Sequence, residues 1–465
     1  MDSPEPIQIW LMCLLLTFFI AGFIFRSDGG INLDTIMYVQ NAELLPTLST
    51  NIFPYGYSIA LKIIHLFLND YFWSSKVLNF LCLVFIVGFS WFRQFYFTET
   101  LLVLCLKIGI GLWSFSYSEP LFLCLLYGQF YLMHQYFEGK FLHSSWPIKM
   151  AGLMVALLLV RHTGIFIFVA YIAFFIFFIS AQGISILKGA YFKFLISSAL
   201  LICLYLSWNW LTFHSFFGEN YRGTPDINTH EEFINHLILN FKGAFTSWNP
   251  FYTIVFQHND NPEYSPIEWG IFLTDIFWAL AFCWFCFIKF KSHITHFHFL
   301  LLSKGFIFLI FLFFSSLYSG IEILNNRLLA PVGFCFFFSF LILYLKTYPN
   351  HKYICLKIAF LPLIFNFIFL IKHPSNYLRI RAKAIQLLEK HPKAKFFLID
   401  MDDNPETIYH IPYFGGEFRY KHTVNKSGYI NRNALFVLKP FLSEIGKQEL
   451  WMNKKEIILN SEMEQ

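Results

Sequence analysis

Four charged side chains stand beside apolar segments of this chain, where they would do chemistry that water alone does not favour. Asp34 opens Asp34-Thr-Ile-Met-Tyr38-Val-Gln-Asn-Ala42, just beyond the first long apolar run, Ile7 to Phe25. A carboxylate partly withdrawn from water holds its proton more tightly and can take one from a hydroxyl or amine. The same residue also suits a helix cap, because Thr35 to Leu45 reads as helical. Asp28, in Asp28-Gly-Gly, reads as a turn residue. Glu119, in Tyr117-Ser118-Glu119-Pro120, is either a first-turn acid ahead of a favoured N1 proline or a second functional acid. Two acids on one face would also serve a metal or an acceptor carrying an amine. Arg161-His162-Thr163-Gly164 places a guanidinium between two apolar segments, where it either holds a lipid phosphate or snorkels to the interface. Asn325-Asn326-Arg327-Leu328-Leu329-Ala330-Pro331 does the same later, with pairing to an acid such as Glu322 as the structural alternative.

Other candidates carry less. Lys107 falls in the middle of an apolar run, where a charge is costly and therefore a functional hypothesis. His293-x-x-His296-x-His298 has metal-like spacing but no Cys or acid beside it. Cys283-Trp-Phe-Cys286 has redox spacing inside an apolar run and reads as packing. Trp248-Asn-Pro-Phe-Tyr252 would stack on a sugar or anchor at an interface. Neither a P-loop nor a strand-linked G-x-G-x-x-G is visible. That argues against a nucleotide-powered transporter and against a nucleotide-sugar donor in a Rossmann domain.

The elements that must position these residues are set by composition. The chain has 465 residues, 57% hydrophobic and 14% charged, with 62 Phe and a mean hydropathy of +0.53. A soluble globule would carry about 25% charged residues. The expected class is therefore an all-α polytopic membrane protein. The net charge of +5 and the lack of a long basic run argue against nucleic acid. All nine Cys lie in or beside apolar segments, so no disulfide framework is expected. The N-terminus, Met1-Asp2-Ser3-Pro4-Glu5, does not read as a cleavable signal.

Eleven spans are expected, at 7–25, 73–92, 99–115, 120–137, 148–161, 164–182, 193–213, 269–289, 304–319, 328–345 and 353–371. With the N-terminus in the cytoplasm, Arg93, Lys140, Lys149, Lys188, Lys193, Lys289, Lys291, Lys304, Lys346, Lys352 and Lys357 fall on the cytoplasmic side. Only Arg26, Lys62, Lys76, Arg161 and Arg327 fall in the short links opposite, the asymmetry that sets orientation. Outer-face loops then cover 26–72 and 214–268, the second expected to cover the site. Tyr55 to Leu68, interrupted by Lys62 and His65, reads as an interfacial helix. The expected domains are a transmembrane domain over 1–371 and a small extracytoplasmic α/β domain over 372–465. Within the latter, 395–400 and 434–438 read as strands and 377–390 as a helix.

The order of motifs resembles the GT-C superfamily of integral-membrane glycosyltransferases. The residues that carry the likeness are D-x-x-x-Y-x-x-x-A at Asp34, Pro54-Tyr-Gly-Tyr57, Ser75-Lys-Val-Leu-Asn79, Ser118-Glu119, Arg161-His-Thr-Gly and Asn326-Arg327-Leu-Leu-Ala-Pro331. The likeness is closest to bacterial relatives of protein O-mannosyltransferases and of the aminoarabinose transferase that modifies lipid A, and it covers most of residues 1–345. It implies transfer of a sugar from a polyprenyl-phosphate carrier to a lipid, glycan or protein acceptor on the extracytoplasmic face of a bacterial inner membrane. By the same resemblance, Asp34 and Glu119 would be catalytic, Asp34 as the base. Arg161 and Arg327 would hold the carrier phosphate, and Tyr38, His162 and Trp248 are further candidates for binding substrate. The chain departs from many members in having Thr35, not a second acid, after Asp34. No cofactor is implied with certainty, and a divalent cation remains open.

A transporter or flippase of lipid-linked sugars is the rival reading. It would be favoured by an internal repeat with broken helices at midplane, and no clear repeat is found. An assembly subunit without catalysis is the third.

Overall fold

The computed structural model describes residues 4–25, 29–31, 33–48, 50–106, 112–140, 145–179, 185–219, 229–246, 266–318 and 322–372, with 378, 382 and four short strands beyond them. The helices in chain order are α1 (Pro6–Ile24), α2 (Leu33–Leu44), α3 (Tyr55–Leu68), α4 (Tyr71–Phe92), α5 (Phe97–Cys105), α6 (Glu119–Phe137), α7 (Trp146–Val160) and α8 (Gly164–Phe174). They continue as α9 (Ser185–Phe213), α10 (His230–Thr246), α11 (Pro266–Phe290), α12 (His296–Tyr318), α13 (Ala330–Thr347), α14 (Lys352–Ile358) and α15 (Phe360–Lys372).

Helix starts follow sequence chemistry. Proline stands in the first turn of α1, α6, α7 and α13, where its missing N–H has no intrahelical partner to lose. Asp70 caps α4, accepting from Phe72 N at 2.9 Å and Trp73 N at 3.3 Å. Asn69 ends α3 in the left-handed conformation, which Asn tolerates better than most residues.

Among the described residues, seven helical segments are long and apolar enough to cross a membrane: Pro6–Ile24, Tyr71–Phe92, Gly189–Phe213, Phe272–His293, His296–Tyr318, Ala330–Thr347 and Pro349–Ile368. Phe277, Trp278 and Trp284 of α11 each expose about two thirds of their surface. A bare aromatic face of that kind suits hydrocarbon better than water. Among the described residues, the remaining expected spans do not reach that length and hydropathy together. Segments 148–161 and 164–182 overlap α7 and α8, which are 15 and 11 residues long. The expected 99–115 span departs most: α5 ends at Cys105, and Ser114 to Ser118 is non-helical chain with its three serines buried. The expected 304–319 span starts earlier, at His296, so Lys304 lies inside α12 and is completely buried rather than in a link.

The core is aromatic. Tyr127 and Phe130 on α6 contact Phe334 and Phe338 on α13, with Phe95 inserted between helices. Around it, α12 packs on α8 and α13, α9 on α7, α6 on α4 and α7, and α3 on α2 and α4. In the tail, β1 (Phe396–Ile399), β2 (Thr407–Ile411), β3 (Phe418–His422) and β4 (Ile457–Leu459) form a sheet in the order β2-β3-β1-β4. Strand β1 pairs parallel with β3 and antiparallel with β4. It falls within the expected 395–400 strand. The expected strand at 434–438 lies outside the described residues, as does the expected helix at 377–390 apart from Leu378 and Ala382.

Candidate functional site

Four separate stretches of sequence deliver their charged residues to one place. Asp34 comes from the first turn of α2, Glu119 from the start of α6, Arg161 from the end of α7 and Arg327 from the approach to α13. Asp34 is inside α2 rather than ahead of it, so it is not the N-cap that its position in sequence suggests. Its carboxylate accepts from Arg327 Nη1. Arg327 Nη2 donates to Glu322, and Nε lies 3.6 Å from Glu119 Oε1. Arg161 Nη1 pairs with that same Glu119 oxygen and lies 3.4 Å from Ser118 Oγ. Three carboxylates therefore share two guanidinium groups. Both readings of Arg327 meet here, since it faces the functional candidate Asp34 and the structural partner Glu322 together.

Aromatic rings close the cluster. The Tyr117 ring lies 4.7 Å from the Arg327 guanidinium carbon, a cation–π distance. The Tyr38 hydroxyl shares a 2.9 Å hydrogen bond with Ser118, and its ring lies 4.8 Å from those of Phe53 and Tyr57. Burial pushes the pKa of both Tyr38 and Tyr117 well above the ordinary tyrosine value, and the neighbouring carboxylates add to the shift while the arginines oppose it. Both phenols are held protonated, so they can donate but do not serve as bases. Burial works against the charge on Arg327, but Asp34, Glu322 and Glu119 outweigh it and hold the guanidinium ionised.

The chain that leads into Tyr117, Ser118 and Glu119 is non-helical from Ser114 to Ser116, with Ser114 and Ser116 buried, so other groups must satisfy its polar atoms. Helix α4 supplies them. Lys76 Nζ donates to Ser114 O and Ser116 Oγ, both at 2.9 Å. Asn79 Nδ2 reaches Trp113 O at 3.2 Å and Phe115 O at 2.5 Å, and Ser75 shares a 2.6 Å bond with Ser116. From the other side, Thr35 Oγ1 donates to Ser116 O at 3.0 Å and Ser116 N to Gly30 O at 2.8 Å. Gly30 has φ +70, and a Cβ there would be driven into Ser114 O. Thr35 and Gly30 thus tie the Asp34 segment to the Glu119 segment directly.

One sequence candidate, His162, stands elsewhere. His162 is buried with Nε2 2.8 Å from Asn51 O, while Asn51 Nδ2 donates to Ser215 O at 2.8 Å; it ties loops together and is not in the charge cluster. Trp248 and Lys107 lie outside the described residues. Among the described residues no group of three His, Cys, Asp or Glu side chains is arranged to hold a metal ion, and His298 instead faces Ser339 at 3.3 Å. At the carboxylate cluster itself, the Arg327 guanidinium occupies the centre that a cation would take.

No family model, curated protein or solved structure matches this chain. The chemistry must therefore be read from the site alone.

Each nitrogen of the Arg327 guanidinium lies within ion-pair distance of a carboxylate, so an incoming anion competes with those carboxylates for it. Glu322 is the most exposed of the three, at 41% against 23% for Asp34 and 2% for Glu119, and swings out at least cost. Sequence reasoning missed Tyr117 and Ser118 as site residues and missed why Ser75, Lys76 and Asn79 matter. The signal was present: polar residues at i, i+1 and i+4 on an otherwise apolar span mark one face that must meet polar partners.

Proposed function

We propose that this chain is a glycosyltransferase that moves a sugar from a polyprenyl-phosphate carrier to an acceptor hydroxyl or amine. The observation that carries the reading is the convergence of Asp34, Glu119, Arg161 and Arg327 into one partly buried charge cluster. The donor's phosphate displaces Glu322 from Arg327 Nη2 and draws the guanidinium towards itself, which loosens the bond from Nη1 to the Asp34 carboxylate. Asp34 then accepts the acceptor's proton as its oxygen or nitrogen attacks the anomeric carbon. The bond from that carbon to the phosphate oxygen breaks, and its electron pair leaves on the phosphate. Arg327 and Arg161 stabilise the charge that develops there. Glu119, shared between both arginines, holds them in register. The products are the glycosylated acceptor and polyprenyl phosphate, and Asp34 returns its proton to water.

This reading belongs to a GT-C-like transmembrane domain over 1–371 with more crossings than the seven long helices, up to eleven. It places the site on the extracytoplasmic face of a bacterial inner membrane, and the tail over 372–465 as a small α/β domain on the same side. The links at that end of the spans carry fewer Lys and Arg than those opposite, which supports the sidedness. Mass spectrometry of lipid-linked and envelope glycans, with and without the gene, tests the reading. A glycan that disappears with the gene supports transfer. Unchanged glycan structures, with lipid-linked sugars accumulating on one leaflet, would point to a flippase.

A further inference from the structure

Helix α10, within the second outer loop, makes contacts that nothing in the charge cluster explains. Three residues on one face of it, spaced i, i+4 and i+7, grip the chain that leads to Arg327. His236 Nε2 lies 2.8 Å from Ser316 O, near the end of α12. Asn240 is completely buried; its Oδ1 accepts from Leu324 N at 3.0 Å, and its Nδ2 donates to His236 O at 3.0 Å. At Gly243 the two backbones touch, so that an added Cβ would be driven into Leu324 O. Leu324 is itself 1% exposed, so its N–H needs a protein partner.

The contact passes straight to the site. Next to Leu324, Asn325 Oδ1 accepts from Arg327 N at 3.0 Å and Leu328 N at 3.1 Å, and its Nδ2 donates to Glu322 at 2.8 Å. Two residues from Leu324 on one side is Glu322, and three on the other is Arg327. A shift of Leu324 therefore moves both Arg327 and the carboxylate it holds.

We propose that Asn240 and Gly243 are positioning residues that set the Arg327 guanidinium through the Leu324 backbone. The proposal rests on the reading of Arg327 as the group that holds the carrier phosphate. It makes α10 part of the site's framework: Asn240 fixes the Leu324 N–H by its acceptor oxygen, and Gly243 fixes the closeness of approach. A side chain at 243, or the loss of the acceptor at 240, moves Arg327 away from its seat.

The test needs neither the sugar nor the acceptor. Full-length protein in detergent is titrated with farnesyl phosphate, and with farnesol as the phosphate-free control, while thermal unfolding is followed. Wild type should be stabilised more by the phosphate than by the alcohol. Asn240→Leu and Gly243→Ala should each weaken the phosphate-dependent part by about tenfold or more, the scale on which small misplacements act. Asn240→Asp keeps the acceptor oxygen and should recover to within about threefold of wild type, which a generally loosened fold would not do. Should the leucine variant not accumulate, Asn240→Ser, too short to reach Leu324, takes its place with the same expectation. A full phosphate-dependent shift in the Asn240 and Gly243 variants overturns the positioning role and leaves Arg327 as the phosphate group. Equal losses in the Asp and Leu variants also overturn it. Wild type that does not distinguish farnesyl phosphate from farnesol overturns the reading of Arg327 itself.

Discussion

Arg327 donates to the carboxylate of Asp34 across 293 residues of sequence, and the other edge of the same guanidinium is taken by Glu322. One cation thus joins the segment after the first span to the segment before α13. Because each partner is partly buried, the arrangement is held by geometry as much as by charge.

Arg327→Lys keeps the positive charge but replaces a planar fork by a point charge. One ammonium cannot hold Asp34 and Glu322 on opposite edges while facing Glu119. Sugar transfer should fall by about a hundredfold or more, with the protein still present in the membrane. A lysine variant with wild-type turnover would show that charge alone suffices.

Glu322→Gln removes the most exposed carboxylate from Arg327 and leaves a side chain of the same shape. An anion then competes with one charge fewer. Farnesyl phosphate should bind several-fold more tightly, in line with about 1 kcal/mol for a partly exposed charge pair. Unchanged or weaker binding would mean that Glu322 does not stand in the phosphate's seat.

Lys304 is a different kind of charge. It is completely buried in α12, donates to Tyr171 Oη at 2.5 Å and lies 4.1 Å from that ring and 5.1 Å from Phe130. Tyr171 passes the bond on to Gln129 at 3.0 Å. Among the described residues no carboxylate forms an ion pair with it. Replacement of a buried charge by an apolar residue of similar volume is often neutral or stabilising. Lys304→Met should therefore keep or raise the unfolding midpoint and leave transfer intact. A midpoint several degrees lower would make the Lys304–Tyr171–Gln129 chain a structural requirement.

Glu219 supplies a pH dependence. Its carboxylate accepts from Ser215 Oγ at 2.7 Å, Phe216 N at 2.9 Å and Phe217 N at 2.7 Å. Burial alone would raise its pKa, but these bonds together win and depress it to about 2 from an ordinary 4.5. The folded form binds the proton less readily than the unfolded form. The stabilisation is thus fully present above about 4.5 and is lost as pH falls towards about 2. Protease cleavage within 214–219 should stay slow at neutral pH and accelerate in that acid window. In Glu219→Gln it should be fast at neutral pH already. Cleavage independent of pH in the wild type would contradict the loop cap.

Much of the scaffold was legible in the apolar pattern. Tyr55 to Leu68, set apart by Pro54 before it and Asn69 after it, is helical over those same residues. Asp34, Glu119, Arg161 and Arg327 stood out because charge beside lipid is costly. The 99–115 segment departs from the expected span because apolar character does not distinguish a helix from irregular chain, as at Ser114 and Phe115, whose carbonyls are satisfied by Lys76 and Asn79. The roles of Asn240 and Gly243 were hidden for a related reason. Asn in a polar helix and Gly near its end look ordinary until Leu324, about eighty residues away, is brought against them.

The most direct test is sugar transfer by membranes carrying Asp34→Asn, with product read by mass spectrometry and protein level by immunoblot. Asparagine keeps the size and an acceptor for Arg327 but cannot take the proton. The account predicts normal accumulation and a loss of transfer of about a hundredfold or more. Transfer at the wild-type rate, at equal protein level, would contradict it.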